Sequence, residues 1–262
     1  MQPKIAFLLA LSLLMIGCGS SNRAPAPAGS LSGNWQMSLI NTGETRVTTT
    51  QSGSLLQNGD VVTGSVFFTN PDCSGVASVT GTVTGQAFSL AENPVGTSVT
   101  LSGTLGSAVS PLSGNFTILS TGCIGKSAPA AGTFTASLVA PLTGNIAGTF
   151  SSNNGSFGLT GQVSQGANTG GSSIPLTGSL TFTGGFCYSG ANIVGSISGT
   201  AVVMNLVESD GVQIGQLTGT ASTDGSSLSP ASLKYVGLGT GAGKGCVNDG
   251  AFNNLTLTIT GS

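Results

Sequence analysis

The sequence predicts an all-β protein: two tandem antiparallel meander units, each a β-barrel or sandwich of about eight strands, related by internal duplication. Three observations predict it. Apolar residues alternate with Ser and Thr in short runs, the period of a half-buried strand. Turn signals punctuate the runs, the strongest being QNGD at 57–60, where Asn-Gly suits the positive φ of a hairpin. Four segments of the first half are answered in the same order in the second: LSGNWQMSL at Leu31 by LTGNIAGTF at Leu142, VTGTVTG at Val79 by IVGSISG at Ile193, LAENPVGTSVTLSGT at Leu90 by LVESDGVQIGQLTGT at Leu206, and the segment around Phe134 by that around Phe252. The offset drifts from 111 to 118, as small loop insertions produce.

The first unit, residues 31–140, places strands near 31–40, 46–56, 61–69, 76–84, 86–91, 97–105, 112–120 and 132–139. The second, 141–262, places them near 142–151, 155–164, 174–183, 192–199, 201–208, 212–221, 227–236 and 251–260. ESDG at 208–211 and ENPVG at 92–96 read as turns like QNGD. Short connections favour neighbouring antiparallel strands, and eight strands can close and lose their edges. One merged sheet of both copies is the alternative. Mid-strand Gly64, Gly81, Gly103, Gly195 and Gly219 read as bulges or sharp bends. Phe67, Phe68, Phe88, Phe116, Phe134, Phe182 and Phe252 read as core.

Charged residues make up 5% of the 262, far below the usual ~25%. Gly numbers 43 and apolar residues 39%, which argues against charge-rich disorder. The net charge of −2 and the lack of a basic patch argue against a nucleic-acid partner. There is no histidine, which excludes Ser-His and Cys-His nucleophile systems and His-ligated metals. Without a CxxC pair, the cysteines do not read as a metal site, and no cofactor is expected. The acids Glu44, Asp60, Asp72, Glu92, Glu208, Asp210, Asp224 and Asp249 mostly fall beside Gly, Asn or Pro and read as solvated turn residues. Glu92 and Glu208 occupy equivalent positions of the two copies, so they are not a pair within one. No catalytic residue is assigned, and the chain is not expected to be an enzyme. GAGKGC at 241–246 lacks the Ser or Thr and the following helix of a phosphate-binding loop.

The five cysteines divide by position. Cys73 and Cys187 precede VTGTVTG and IVGSISG at the same spacing, and Cys123 and Cys246 fall late in each copy. The repeat therefore pairs Cys73 with Cys123 and Cys187 with Cys246, in an oxidising compartment. Cys18 is left over. It follows an apolar run from Ile5 to Ile16, about 12 residues, too short to span a bilayer but fitted to a secretory signal.

Met15-Ile16-Gly17-Cys18 resembles the bacterial lipobox, with Met where the pattern prefers Leu. The resemblance implies a signal peptide over 1–17, diacylglycerol on the Cys18 thiol and a further acyl group such as palmitate on the new N-terminus. Gly19 in place of Asp implies the outer membrane of a Gram-negative bacterium. GSSNRAPAPAGS then reads as a tether, so 18–30 is lipidated Cys plus flexible linker. The whole chain resembles Gly/Ser/Thr-rich β-repeat envelope lipoproteins. That resemblance carries no activity with it; the expected role is non-enzymatic, structural or in surface interaction with an envelope partner, with the membrane as a partner through the lipid.

Gly33-x-Trp35 resembles the first-strand signature of lipocalins, although the basic residue usual on the last strand is missing from 132–139. Trp35 would plug one barrel end, with Ile146 in its place in the second copy. This resemblance implies the alternative role, a carrier holding a small apolar ligand inside a barrel.

Overall fold

A computed structural model describes residues 29–42, 48–70, 73–94, 98–106, 111–119, 130–152, 155–184, 188–235 and 250–261. These residues form two closed eight-stranded antiparallel barrels, each a meander. The first comprises β1 (Gly33–Asn41), β2 (Thr48–Asn58), β3 (Val61–Asn70), β4 (Cys73–Thr84), β5 (Ala87–Asn93), β6 (Val99–Thr104), β7 (Leu112–Ile118) and β8 (Ala130–Val139). The second comprises β9 (Gly144–Ser152), β10 (Gly155–Gln165), β11 (Ile174–Thr183), β12 (Gly190–Ser198), β13 (Ala201–Val207), β14 (Gln213–Ala221), β15 (Ser227–Tyr235) and β16 (Gly250–Thr260). All sixteen expected strands are present. Each sheet closes on itself, by β1 on β8 and by β16 on β9, so neither the sandwich nor the merged-sheet alternative is adopted.

Alternation explains the barrel's sidedness. In β3 and β8 the burial runs inward, outward, inward, so Val62, Val66 and Phe68 or Ala130, Phe134 and Ala136 face the interior. The outward positions form rows of hydroxyls across the strands, for example Thr63 beside Thr80 and Ser65 beside Ser78. This apolar-in, polar-out arrangement is the inverse of a lipid-facing barrel. Phe67 follows the same alternation and faces out at 42% exposure, so its place in the expected core is corrected; Phe252 is only partly buried.

The strand glycines act differently from the bulges expected. Pairing runs without a shift through Gly64, Gly81, Gly103 and Gly195, and only Gly219 adjoins a register shift. Instead, neighbouring groups occupy the space a side chain would need. Phe88 lies over its cross-strand partner Gly103, Phe134 over Gly114 and Phe116 over Gly132; a Cβ at each would come within 2.7 Å of the ring. Large rings thus sit on empty positions, which lets a narrow barrel fill without strain.

The duplication is visible in hydrogen bonds that no sequence match indicated. At the start of the first barrel the Leu31 N–H donates to Gln57 Oε1 (2.8 Å) and the Gln57 N–H to Ser32 Oγ (2.8 Å). In the second, the Leu142 N–H donates to Gln165 Oε1 (3.1 Å) and the Gln165 N–H to Thr143 Oγ1 (3.1 Å). Gly33 and Gly144, which open β1 and β9, share φ values of 149° and 145°. The same clasp ties the entering chain to the end of the second strand in both units.

The β12–β13 turn of the second barrel docks on the β1–β2 wall of the first. Asn34 Nδ2 donates to the Gly199 carbonyl (2.8 Å) and the Gly199 N–H donates to Asn34 Oδ1 (2.7 Å). The Thr200 N–H donates to Gln36 Oε1 (3.2 Å), and the Ser52 and Ser198 hydroxyls lie 2.8 Å apart. The β10–β11 connection adds Ser54 Oγ donating to the Gly171 carbonyl (2.6 Å) and Asn168 Nδ2 donating to the Leu55 carbonyl (2.8 Å). Asn34 and Ser54 are outward-facing on their strands yet almost fully buried.

Gly199 and its counterpart Gly85 adopt the same left-handed turn, with φ of 54° and 61°. A Cβ at Gly85 would meet open space, whereas at Gly199 it would strike Gln36 and Ser52. Gly85→Ala is therefore expected to cost about 1 kcal/mol, the backbone term alone. Gly199→Ala is expected to cost roughly 1–3 kcal/mol more by also parting the buried amide pairs. Chemical denaturation of both variants checks this, and an equal loss would show that the interface contributes nothing.

Candidate functional site

The interior of the first barrel is apolar at one end and polar at the other. At the end closed by the tight turns, Trp35 is 1% exposed and its Nε1–H donates to the Leu31 carbonyl (2.7 Å), plugging the barrel as the sequence suggested. Ile146, 0% exposed, stands in its place in the second barrel. Leu55, Leu90, Leu101, Leu112 and Phe134 pack beneath Trp35. The void they leave is about 10 Å³, no more than one water molecule needs. The architecture is the eight-stranded meander that the lipocalin resemblance implies, but this interior is packed.

At the opposite end, the end from which β1 leads to β2 and β5 to β6, the buried polar side chains of Thr49, Gln51, Asn70 and Glu92 point inward. Glu92 is the correction to the solvated turn acids. It is in β5, continues the inward series Phe88, Leu90, and is 1% exposed. Gln51 reaches it across the interior from β2, with β3 and β4 lying between on the wall; Gln51 Nε2 donates to Glu92 Oε2 at 2.6 Å. Burial pushes the Glu92 pKa up to about 7, the Gln51 hydrogen bond opposing the shift in part.

The other described acids are in turns. Asp60 sits in the β2–β3 turn. Asp210 is in the β13–β14 connection, where its Oδ1 accepts from the Val212 N–H (3.0 Å). Asp224 is exposed, and hydrogen bonds from the Ser222 hydroxyl and from the Ser226 N–H and hydroxyl hold its pKa down to about 2. Glu208, the counterpart of Glu92, precedes the same turn as Asp210 and is half-buried. Glu44, Asp72, Asp249 and the GAGKGC segment lie outside the described residues, as do Cys18, Cys123, Cys187 and Cys246; Cys73 opens β4. Among the described residues no three metal-ligating side chains cluster.

Two open clefts mark the outside of the second barrel. One, of about 480 Å³, is bordered by Gln213, Gln216, Lys234, Tyr235 and Gly250, with Tyr235 stacked near Phe252 at a ring separation of 6.0 Å. The other, of about 370 Å³, is bordered by Ser179, Asn192 and Glu208. Neither brings two acids together among its described residues.

No family model matches the chain, no curated protein matches it, and no solved structure matches its fold. The arrangement therefore speaks through its own chemistry: a closed, packed pair of barrels with, among the described residues, one buried acid.

That acid makes stability depend on pH. Unfolded, Glu92 ionises near its ordinary pKa; folded, it keeps its proton until about pH 7. The folded state binds the extra proton between these values, so stability falls as pH rises through the window from 4.5 to 7 and levels off above it. The total fall is roughly 3 kcal/mol. Glu92→Gln is expected to abolish that slope and to raise stability at pH 8; urea denaturation at pH 5, 6, 7 and 8 checks it.

Proposed function

We propose that the chain is a lipid-anchored bacterial envelope protein, held through Cys18, whose barrels serve a non-enzymatic structural or surface-interaction role. The packed interior of the first barrel is the observation that carries this reading. It leaves the outer wall, and not a cavity, as the surface that can meet another molecule. Apart from outward apolar residues such as Phe67 and its cross-strand partner Val76, that wall is lined chiefly by neutral hydroxyls, which exert little long-range attraction on charged ligands. A partner would meet it at short range through hydrogen bonds. The inter-barrel contacts give an instance within the chain, since Asn34, Ser52 and Ser54 bind the turns of the second barrel in this way.

The anchor rests on the apolar run that ends at Met15-Ile16-Gly17-Cys18 and on the tether after it. One acyl chain binds a membrane marginally and two or three bind it stably. The disulfide pairing draws support from topology. The β3–β4 and β7–β8 connections, which neighbour Cys73 and contain Cys123, leave the same end of the first barrel. The β11–β12 and β15–β16 connections, which contain Cys187 and Cys246, share an end of the second.

Cys18→Ser is expected to move the protein from the membrane pellet to the soluble fraction, and continued sedimentation with membranes would contradict the anchor. Mass spectrometry of the native protein is expected to show acyl mass at Cys18 and no small molecule retained; a co-purifying apolar ligand would restore the carrier role. Cys73→Ala is expected to leave one free thiol, at Cys123, in peptide mapping. A free thiol at Cys187 or Cys246 instead would overturn the pairing.

A further inference from the structure

The hydrogen bond between Gln51 and Glu92 leaves two atoms over. Glu92 Oε1 and Gln51 Oε1 are both buried and have no hydrogen-bond partner among the described residues. Both are acceptors when the carboxyl is ionised, so no rotation of either group satisfies them together. A single proton does. A carboxylic acid and a primary amide are complementary, because each presents one donor and one acceptor side by side.

We propose that Glu92 is held as the neutral acid, donating from Oε1 to Gln51 Oε1 while Oε2 accepts from Gln51 Nε2, and that this closed acid–amide pair latches the polar end of the first barrel. It joins β2 to β5 across the interior, where no backbone ladder connects them. Thr49 and Asn70 are the other buried inward polar residues at this end among the described residues, and Asn41 continues the inward series Met37 and Leu39 of β1. The strands packed against the pair turn apolar side chains toward it: Met37 and Leu39 from β1, Phe68 from β3, Val79 from β4 and Val99 from β6. Among the described residues of this barrel there is no lysine or arginine, and the other carboxylate is Asp60, in a turn at the far end.

The step is a deprotonation. As pH rises, the Oε1 proton leaves to solvent base, the Gln51 carbonyl loses its donor, and the carboxylate keeps one hydrogen bond in an apolar shell. Such a charge is poorly tolerated without water. Water then enters from the polar end, and the β2 and β5 strands part locally there. The latch is closed in mildly acidic surroundings and open in alkaline ones.

Carbon-13 NMR of the full chain labelled at the glutamate carboxyls tests this, since the sequence has only Glu44, Glu92 and Glu208. One signal, absent from Glu92→Gln, is expected to titrate near pH 7, and the side-chain amide of Gln51 is expected to follow with the same midpoint. Amide hydrogen exchange around Gln51 and Glu92, corrected for intrinsic rate, is expected to accelerate about tenfold from pH 6 to 8. In Glu92→Gln, where two amides close the same ring, the acceleration disappears. Three carboxyls titrating in the ordinary range, or a Gln51 amide indifferent to the Glu92 titration, would overturn the latch. Should Glu92→Gln not fold, Gln51→Leu serves: removing the carboxylate's donor is expected to raise the Glu92 midpoint, and an unchanged midpoint overturns the pair.

Discussion

Closure of each sheet is the constraint on which the rest of the molecule depends. A chain with so few charges and so many Ser, Thr and Gly residues has little to repel a neighbour's strand from an exposed edge. Pairing β1 with β8 and β9 with β16 removes the edges. It also fixes a small interior, and the interior decides which inward positions hold rings and which hold none. The Phe–Gly cross-strand pairs follow from that volume, as does the Trp35 plug at one end.

The same closure explains the polarity gradient inside the first barrel. A plugged end can be wholly apolar. At the other end Thr49, Gln51, Asn70 and Glu92 replace aliphatic side chains. The outer wall needs little charge to stay solvated, because many outward positions are hydroxyls in register, such as Thr63 beside Thr80 and Ser65 beside Ser78. Where two such walls meet, the contact is polar and short-ranged, as the Asn34 and Gly199 hydrogen bonds show.

Most of the strand pattern was legible because alternation and hairpin turns are local properties. The Asn58-Gly59 turn carries its own backbone preference, and Gly59 has the φ of 59° it implies. Barrel and sandwich share the same alternation, so the choice between them depends on whether the first strand finds the last, a contact with no local signal. Glu92 was misread because the Asn-Pro and Gly beside it announce a turn. The inward series of Phe88 and Leu90 two residues apart, continued once more, would have placed it inside. Asn34 offered no signal: an outward Asn near a strand start is unremarkable until a turn 165 residues later is laid against it. The strand glycines read as bulges or sharp bends, yet pairing runs unshifted through Gly64, Gly81, Gly103 and Gly195, and they leave room for a neighbour.

The docking contact has a direction in time. Each barrel is contiguous in sequence, so all the strands of the first lie before any of the second. A chain that emerges N-terminus first, with domains folding as units, completes the β1–β2 wall before the β12–β13 turn exists. The turn then arrives at a finished surface whose Asn34 amide already offers the donor and acceptor that Gly199 lacks. On that order the second barrel would fold with its docking wall already in place.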